Sequence, residues 1–265
     1  MKLLLLLLAL PLFSFGQNVN IPDANFKAYL VGNPSINTNG DSQIQVSEAS
    51  AFNDTINCSY LDISNLKGIE AFSALTSLWC MGNQLKSLDV SKITALTDLS
   101  CVSNKLTSLD VSKNTALTFL WCKYNKLTSL DVSKNTALTD LDCGGNQLTS
   151  LDVSKNTALT SLHCSFNNLK SLDVSKNTAL MYLTCTGNQL TSLDVSKNTA
   201  LTYLSCGDNQ LTSLDVSKNT ALTYLWCEGN QLKSLDVSKN SALTILDCGD
   251  NKFDCDALKR KYGIE

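Results

Sequence analysis

The sequence predicts a leucine-based solenoid, an elongated repeat fold with a parallel β-sheet along one side, short irregular return segments along the other, and a small helical cap at each end. Two observations predict it. A segment of 21 residues recurs with small changes down most of the chain, and nine cysteines follow one another at that same interval. A fixed period of this length indicates stacked repeats that share one continuous core. The nine cysteines are Cys80, Cys101, Cys122, Cys143, Cys164, Cys185, Cys206, Cys227 and Cys248.

Each repeat begins with a short strand. In the second regular copy, Leu99 and Cys101 alternate with Asp98 and Ser100, and this period of two predicts a strand with one buried face. Because copies recur at a fixed interval, the strands are predicted to stack in parallel and in register, about 4.8 Å apart. Asn104 follows, where an amide side chain can bond the backbone of a tight bend. The Leu-Asp-Val-Ser-Lys-Asn-Thr return is too short for a full α-helix and forms the other side.

The nine periodic cysteines are predicted to be small buried hydrophobic side chains stacked in a column. Zinc ligation is disfavoured, because no histidine or second cysteine lies near any of them at ligand spacing. The chain has 11 cysteines in all. A disulfide between Cys248 and Cys255 remains an alternative for the last member of the column.

The N-terminal 16 residues predict a secretory signal peptide. Lys2 supplies the charge, residues 3–13 form an apolar run too short to cross a bilayer, and cleavage is placed after Gly16. No later apolar run reaches membrane-spanning length. The sequence therefore predicts an exported chain that is secreted, periplasmic or loosely associated with the cell surface.

Three further segments are predicted after the signal peptide. Residues 17–54 form an N-terminal cap, residues 55–253 form the array of one degenerate and nine regular repeats, and residues 254–265 form a C-terminal cap. Asp23 and Asp254 are predicted helix N-caps, because aspartate oxygens accept hydrogen bonds from the free N–H groups of a first turn.

The N-terminal cap contains a loop with the spacing of an EF-hand calcium loop. Ser42 stands where glycine normally makes the sharp turn, and place 1 is an asparagine, so any calcium site is predicted to be weak. The other interpretation is an Asn/Gly turn before a short helix. No cofactor is expected to be required in either case. The tentative ligands are Asn37, Asn39, Asp41, Gln43 and Glu48.

The repeat also resembles a known family. Leu96-x-x-Leu99-x-Cys101-x-x-Asn104-x-Leu106 is the leucine-rich-repeat signature with cysteine in the third apolar place, and the period and cysteine column resemble the internalin J type. Residues 66–75 resemble the entry into an internalin array. The resemblance implies a secreted or surface-exposed adhesion and recognition module that binds through its concave sheet. No cell-wall sorting tail follows the last repeat, which disfavours permanent anchoring.

The places that differ between repeats are the candidates for function, because the constant places specify only the fold. They are the two outward strand places and the two places after each cysteine. All three tryptophans and the single histidine occupy the second outward place. Exposed aromatic side chains cost solubility unless something covers them, and Tyr and Trp are enriched at binding hot spots. The predicted ligand-binding residues are Trp79, Phe119, Trp121, Tyr124, Asp140, Asp142, His163, Phe166, Tyr182, Tyr203, Tyr224 and Trp226.

Several alternatives accompany this prediction. The tyrosines could instead form a cross-strand column that only stabilises the sheet. Asp140, Asp142 and His163 could meet as a weak cation site, although a polar part of a binding face is favoured. An enzyme is disfavoured because no nucleophile, metal cluster or enclosed pocket is indicated. A structural protein that self-associates through this face is the main rival to a recognition module.

Charge narrows the choice of partner. The formal net charge is −3, and much of it comes from recurring pairs such as Asp110 and Lys113, which cancel along the array. No basic stripe suited to nucleic acid is present. The predicted partner is an extracellular protein or carbohydrate, and the chain is expected to be a monomer.

Overall fold

The computed structural model describes residues 16–264, so the predicted signal peptide lies outside the described residues apart from Gly16. Within that range a single parallel sheet has ten strands of three residues each, in sequential order. The solenoid predicted from the repeat is therefore confirmed. The strands are β1 Thr55–Asn57, β2 Ser77–Trp79, β3 Asp98–Ser100, β4 Phe119–Trp121, β5 Asp140–Asp142, β6 Ser161–His163, β7 Tyr182–Thr184, β8 Tyr203–Ser205, β9 Tyr224–Trp226 and β10 Ile245–Asp247.

Neighbouring strands are paired in register. Leu99 on β3 lies opposite Leu78 on one side and Leu120 on the other, and the same offset holds at every step of the regular array. The leucines of the strand and the cysteines that follow it therefore form columns. Both columns are buried along the whole sheet, as the apolar alternation predicts. The core is thus continuous along the whole array, and each repeat adds the same set of side chains to it.

An asparagine column closes the bend after each strand, as predicted for Asn104 and its counterparts. The side-chain amide of Asn146 donates to the carbonyl oxygens of Cys122 at 3.1 Å and Cys143 at 3.0 Å. Its Oδ1 atom accepts from the backbone N–H of Leu127 at 3.0 Å. Each asparagine therefore satisfies backbone groups in two successive repeats, which holds the repeats in register.

A second asparagine column runs through the return segments, and the sequence did not predict its role. Asn135 is fully buried, and its amide donates to the carbonyl oxygens of Val111 at 3.0 Å and Asn114 at 2.8 Å. The equivalent residues repeat this arrangement along the array. The side opposite the sheet is therefore also joined from repeat to repeat by buried hydrogen bonds, although it contains no regular helix.

The recurring aspartates and lysines of the return segments cancel in charge, but they are not joined as ion pairs among the described residues. Asp110 Oδ1 accepts a hydrogen bond from the backbone N–H of Ser112 at 2.9 Å instead of pairing with Lys113. These hydrogen bonds with Ser112 hold the pKa of Asp110 below its usual value. The recurring aspartates are thus turn residues, and the lysines remain free to interact with solvent.

The N-terminal cap contains helices α1 Ala24–Val31 and α2 Val46–Ala51, and a 3-10 turn over Ile69–Ala71 leads into the array. Asp23 caps α1, because its Oδ1 atom accepts from the backbone N–H groups of Asn25 and Phe26. Its other oxygen accepts from Ser64 N and Oγ, both at 2.8 Å. One aspartate therefore both starts the helix and attaches the cap to the first repeat.

The C-terminal cap is helix α3, Cys255–Tyr262. Asp254 caps its first turn through Ala257 N at 2.8 Å, and Gly263 ends it in the left-handed region at φ 65°. Phe253, Leu258 and Tyr262 pack against the core of the last repeat. Cys248 forms a disulfide with Cys255, so the last cysteine of the column is a covalent attachment for the cap and not a free thiol.

Among residues 16–264, no helix has both the length and the apolar character needed to cross a membrane.

Candidate binding face on the concave sheet

The outward strand places and the two places after each cysteine line the concave side of the sheet, and we call this set the variable face. It carries most of the large apolar side chains that the array exposes to solvent. The structure divides the predicted residues into three areas along the sheet and a row at its edge. They are a cleft near the N-terminal end, a polar middle, and a tyrosine line near the C-terminal end.

The cleft lies over β3, between Trp79 on β2 and Trp121 on β4, and we call it the tryptophan cleft. Ser100 on β3 lies between the two tryptophans in the strand register. Asp98, Leu99 and Phe119 complete the lining of the cleft, which has a volume of about 140 Å³. Ser100 is only 3% exposed, and its Oγ atom has no hydrogen-bond partner among the described residues. The cleft therefore has aromatic walls, a buried hydroxyl at its floor and a carboxylate at one end.

Neighbouring side chains hold one wall of the cleft in place. The indole Nε1 atom of Trp121 donates to Asp140 Oδ1 at 2.8 Å. The rings of Phe119 and Trp121 meet edge to face with centroids 6.4 Å apart. Sequence reasoning selected Trp79 and Trp121 but missed the cleft, because the signal is the small residue between them on β3. The strand register, which follows from the 21-residue period, places Ser100 between the two tryptophans and is the signal that indicates the cleft.

The polar middle does not form a cation site. Asp142 is paired with Lys123 at 3.0 Å, while Asp140 accepts from Trp121 as described above. The ring nitrogens of His163 are bonded to hydroxyls, with Nε2 2.9 Å from Ser161 Oγ and Nδ1 3.0 Å from Thr184 Oγ1. The three predicted residues lie on adjacent strands but have separate partners. In the part of the chain that the structure describes, no group of three or more His, Cys, Asp or Glu side chains is arranged to hold a metal.

The tyrosine line crosses β7, β8 and β9. Ring centroids are 6.3 Å apart for Tyr182 and Tyr203, and 5.8 Å apart for Tyr203 and Tyr224. Trp226 contacts Tyr203 at 5.6 Å, so the central tyrosine touches three rings. Tyr182, Tyr224 and Trp226 are nonetheless exposed. The line therefore combines ring packing across the sheet with a continuous exposed aromatic surface.

Tyr124 and Phe166 lie at the edge of the variable face, in the bend after the strand. Both have positive φ, 54° and 55°, and both rings are well exposed. Each ring lies over a glycine of the next repeat. A Cβ atom built on Gly145 would meet Tyr124 Cδ1, and one built on Gly187 would lie 2.7 Å from Phe166 Cδ1. These aromatics are fitted to their neighbours and are not part of the strand surface.

Carboxylates gather near the C-terminal end of the variable face. Burial raises the pKa of Glu228, and the negative charges of Asp247 and Asp208 raise it further. The Oε2 atom of Glu228 is buried without a hydrogen-bond partner among the described residues. This end of the face therefore carries negative charge that the described residues do not neutralise.

The oxygens of the EF-hand-like loop are largely occupied within the cap. Glu48 Oε1 accepts from the backbone N–H groups of Thr38 and Asn39, and its Oε2 accepts from Gln45 N. Asp41 Oδ1 accepts from Gln43 N. Among the five tentative ligands, only Asn37 has a side-chain oxygen that is buried without a partner among the described residues. These contacts stabilise the turn and the start of α2, and a bound cation would have to replace several of them.

Comparison with known proteins agrees with the fold. A family model described as leucine-rich repeats (two copies) matches residues 199–240. The chain is similar to the functional domain of InlJ from Listeria monocytogenes, which includes a cysteine ladder, with 34% identity, a TM-score of 0.51, and coverage of 89% of this chain and 66% of that domain. A search of curated proteins found no match.

Two further structures share the fold. The internalin InlF from Listeria monocytogenes is 20% identical with a TM-score of 0.57, over 91% of this chain and 86% of that one. The ectodomain of the plant receptor kinase GASSHO1/SCHENGEN3 from Arabidopsis thaliana, solved with CASPARIAN STRIP INTEGRITY FACTOR 2, is 23% identical with a TM-score of 0.65, over 71% of this chain and 26% of that one.

The repeat, the sheet and the asparagine columns define a leucine-rich-repeat protein, a class typical of protein-binding and adhesion modules. Within that class the chain is similar to the internalin type with a cysteine ladder, represented by InlJ.

Proposed function

We propose that this protein is an exported, non-enzymatic recognition module that binds a macromolecule, protein or glycan, on its variable face. The observation that carries the proposal is the concentration of exposed aromatic side chains on the concave sheet, while the other repeat columns are either buried or made of exposed polar, charged or small side chains. Stability of the array requires the buried columns only. Exposed Trp and Tyr side chains in rows are suited to burying flat surfaces of a partner.

Ligand binding by variants that lack one tryptophan of either aromatic area tests this proposal. Wild type, Trp121→Ala and Trp226→Ala are compared on a glycan array and in a pull-down of extracellular proteins, with Lys134→Ala on the return side as the control. Loss of a ligand by either tryptophan variant but not by the control supports the variable face as the binding site. Equal binding by all four proteins contradicts it.

Self-association through the same face is the alternative, because exposed aromatic surface can also be covered by a second copy. Light scattering at micromolar concentration separates the two. A monomer with intact aromatics counts against self-association. An assembly that Trp121→Ala or Trp226→Ala dissolves would favour a structural role over recognition.

A weak calcium site in the N-terminal cap is proposed as an accessory feature only. Asn37 Oδ1, at the first ligand place, is buried and lacks a hydrogen-bond partner among the described residues. If calcium binds, millimolar CaCl₂ raises the melting temperature of wild type and not that of Asp41→Ala, because a ligand that binds only the folded state stabilises it. An equal response from both proteins, or none, would argue for a turn without calcium.

A further inference from the structure

We infer that the macromolecule recognised by the variable face is a basic protein segment, and that the tryptophan cleft takes the side chain of one of its arginines. This inference rests on the proposed function and specifies the partner that the proposed function leaves open. The charge of the face, the strand spacing at the cleft and the polar atoms inside the cleft support this inference.

Most charged side chains on the variable face are negative. Lys123 is its single lysine or arginine, and it is already paired with Asp142 in the only ion pair of the described part of the chain. A basic partner would neutralise the remaining carboxylates, whereas a neutral glycan would leave them unpaired or bury them at a cost. The carboxylates of the variable face are Asp98, Asp140, Asp142, Asp208, Glu228, Asp247 and Asp250.

The spacing of the strands leaves room for one planar group between the two tryptophans. Trp79 and Trp121 lie on strands two apart, so their backbones are separated by about 9.6 Å, twice the spacing of neighbouring strands. A flat group in contact with both rings needs a ring separation of about 7 to 8 Å, twice a carbon–carbon contact distance. An arginine guanidinium is planar, stacks on aromatic faces and attracts the ring quadrupole as a cation.

The polar atoms of the cleft are acceptors for such a group. Asp98 lies on β3 two residues before Ser100, and among the described residues its carboxylate accepts one hydrogen bond, from Thr97 Oγ1 at 2.6 Å. Ser100 Oγ is buried at the floor without a partner among the described residues. A guanidinium has five N–H donors, which can reach both a carboxylate and a hydroxyl.

A comparable position near the other end of the sheet lacks these features. Ser205 on β8 lies between Thr184 and Trp226, so only one wall is aromatic. Its hydroxyl is 2.6 Å from Thr186 Oγ1 and is thereby satisfied. The combination of two indole walls, an unpaired hydroxyl and a carboxylate therefore belongs to the tryptophan cleft, which is why the arginine is assigned there.

Tryptophan fluorescence gives a direct test. The chain has three tryptophans, so in a Trp226→Phe variant the two that remain form the walls of the cleft. The probe is N-acetyl-arginine amide, with N-acetyl-citrulline amide as its uncharged counterpart of the same shape. We expect a saturable fluorescence change with arginine, with a dissociation constant on the order of millimolar, and none with citrulline. No saturable change with arginine overturns the inference.

Variants locate the probe and separate this inference from the proposed function. In the same background Asp98→Asn is expected to weaken arginine binding about tenfold, while Asp131→Asn on the return side, an equal change of charge, leaves it unaltered. Equal weakening by both would contradict the cleft. Cellohexaose and chitohexaose form the second arm. Sugar binding that Trp121→Ala abolishes and Asp98→Asn does not change would overturn the basic partner while retaining recognition by the variable face.

Discussion

At the scale of single residues, side chains that look alike in the sequence have different roles because of what lies one repeat away. Trp121 is exposed and bonded to Asp140, Tyr203 is packed against three rings, and Tyr124 lies over Gly145. The neighbour in the next repeat, and not the residue type, decides whether an aromatic side chain forms a wall, a stack or a cover over a bend.

Gly145 provides the first prediction at this scale. It has φ of 59°, and a Cβ atom there would overlap the ring of Tyr124. Gly145→Ala is therefore expected to lower the free energy of unfolding by about 1–3 kcal/mol, measured by denaturant unfolding. Gly40→Ala is the control, because Gly40 also has a positive φ, 71°, and a Cβ atom there would have no neighbour within 4 Å. Equal losses would mean that the ring contact is unimportant.

Glu228 gives a pH-dependent prediction. Burial and the charges of Asp247 and Asp208 raise its pKa in the folded protein. Its contribution to stability is therefore complete below the pKa of the unfolded chain and is lost as the pH rises through the folded pKa. Glu228→Gln is expected to be more stable than wild type at about pH 7, with the difference disappearing at about pH 3.

Urea unfolding at the two pH values measures this difference. Asp131→Asn is a useful contrast, since hydrogen bonds from Ser133 lower the pKa of Asp131 and the charged form of Asp131 is the stabilising one. A Glu228→Gln variant that is less stable than wild type at neutral pH would show that the carboxylate has a partner not seen in the structure.

At the scale of the repeat, buried columns carry the stability of the array. The strand leucines and the cysteines exclude water, and the two asparagine columns satisfy the backbone on both sides of the solenoid. Leaving one such backbone group unpaired costs about 1–3 kcal/mol, so the asparagine places restrict the sequence as well as the leucine places.

The cysteine column gives a prediction for thiol chemistry. Burial raises the pKa of Cys101 and Cys185 to about 12, which keeps these thiols protonated and unreactive at neutral pH. Nine buried cysteines are free, and Cys248 and Cys255 are joined. Titration with a thiol reagent at about pH 7.5 should find no fast-reacting thiol in the native protein.

The same titration of the unfolded protein counts the buried thiols. In guanidinium without a reductant nine thiols should react, and after reduction all 11. Fast reaction of several thiols in the native protein would mean that the column opens readily. Eleven reactive thiols without a reductant would mean that the disulfide does not form.

Much of the structure of a single repeat could be predicted from the sequence. The alternation at Leu99 and Cys101 predicts the strand, its register and the buried column, and the structure confirms all three. The role of Asn135 was missed, because a polar residue in an irregular return gives no periodic signal of burial within one repeat. Its constancy from copy to copy was the available signal.

The candidate site could be predicted only in part. The sequence selects the exposed aromatics, but the tryptophan cleft depends on Ser100, a small residue that is significant only because of its neighbours on β2 and β4. The pairing of Asp142 with Lys123 and of His163 with two hydroxyls likewise depends on side-chain geometry across strands. Residue type and spacing do not determine such choices.

At the scale of the whole molecule, the array is uniform while its two ends differ. The N-terminal cap is attached by hydrogen bonds such as those from Ser64 to Asp23, and the C-terminal cap by a disulfide. Between them each repeat contacts mainly its neighbours, as in other solenoids. Removing one complete repeat should therefore preserve the fold.

Deletion of residues 154–174 tests this uniformity. The deletion removes 21 residues and joins Val153 to Ser175, which recreates the Val-Ser step found in the other repeats. A folded monomer with a modestly lower melting temperature is expected, because one interface between repeats is lost. Circular dichroism and size-exclusion chromatography provide the measurement.

A deletion one residue shorter is the matched control. Removing residues 154–173 joins Val153 to Val174, so every later side chain is displaced by one position relative to the asparagine columns. This variant should unfold or aggregate. Equal stability of the two deletions would mean that the register is set less strictly than the structure indicates.

The constant register also affects how such a protein can change over generations. Because the period is constant, an insertion or deletion of 21 residues adds or removes one whole repeat. Each event between β4 and β7 would move the tryptophan cleft relative to the tyrosine line by one strand spacing, about 4.8 Å, without altering either area. The distance between the two areas can therefore be inherited and selected separately from the chemistry of each.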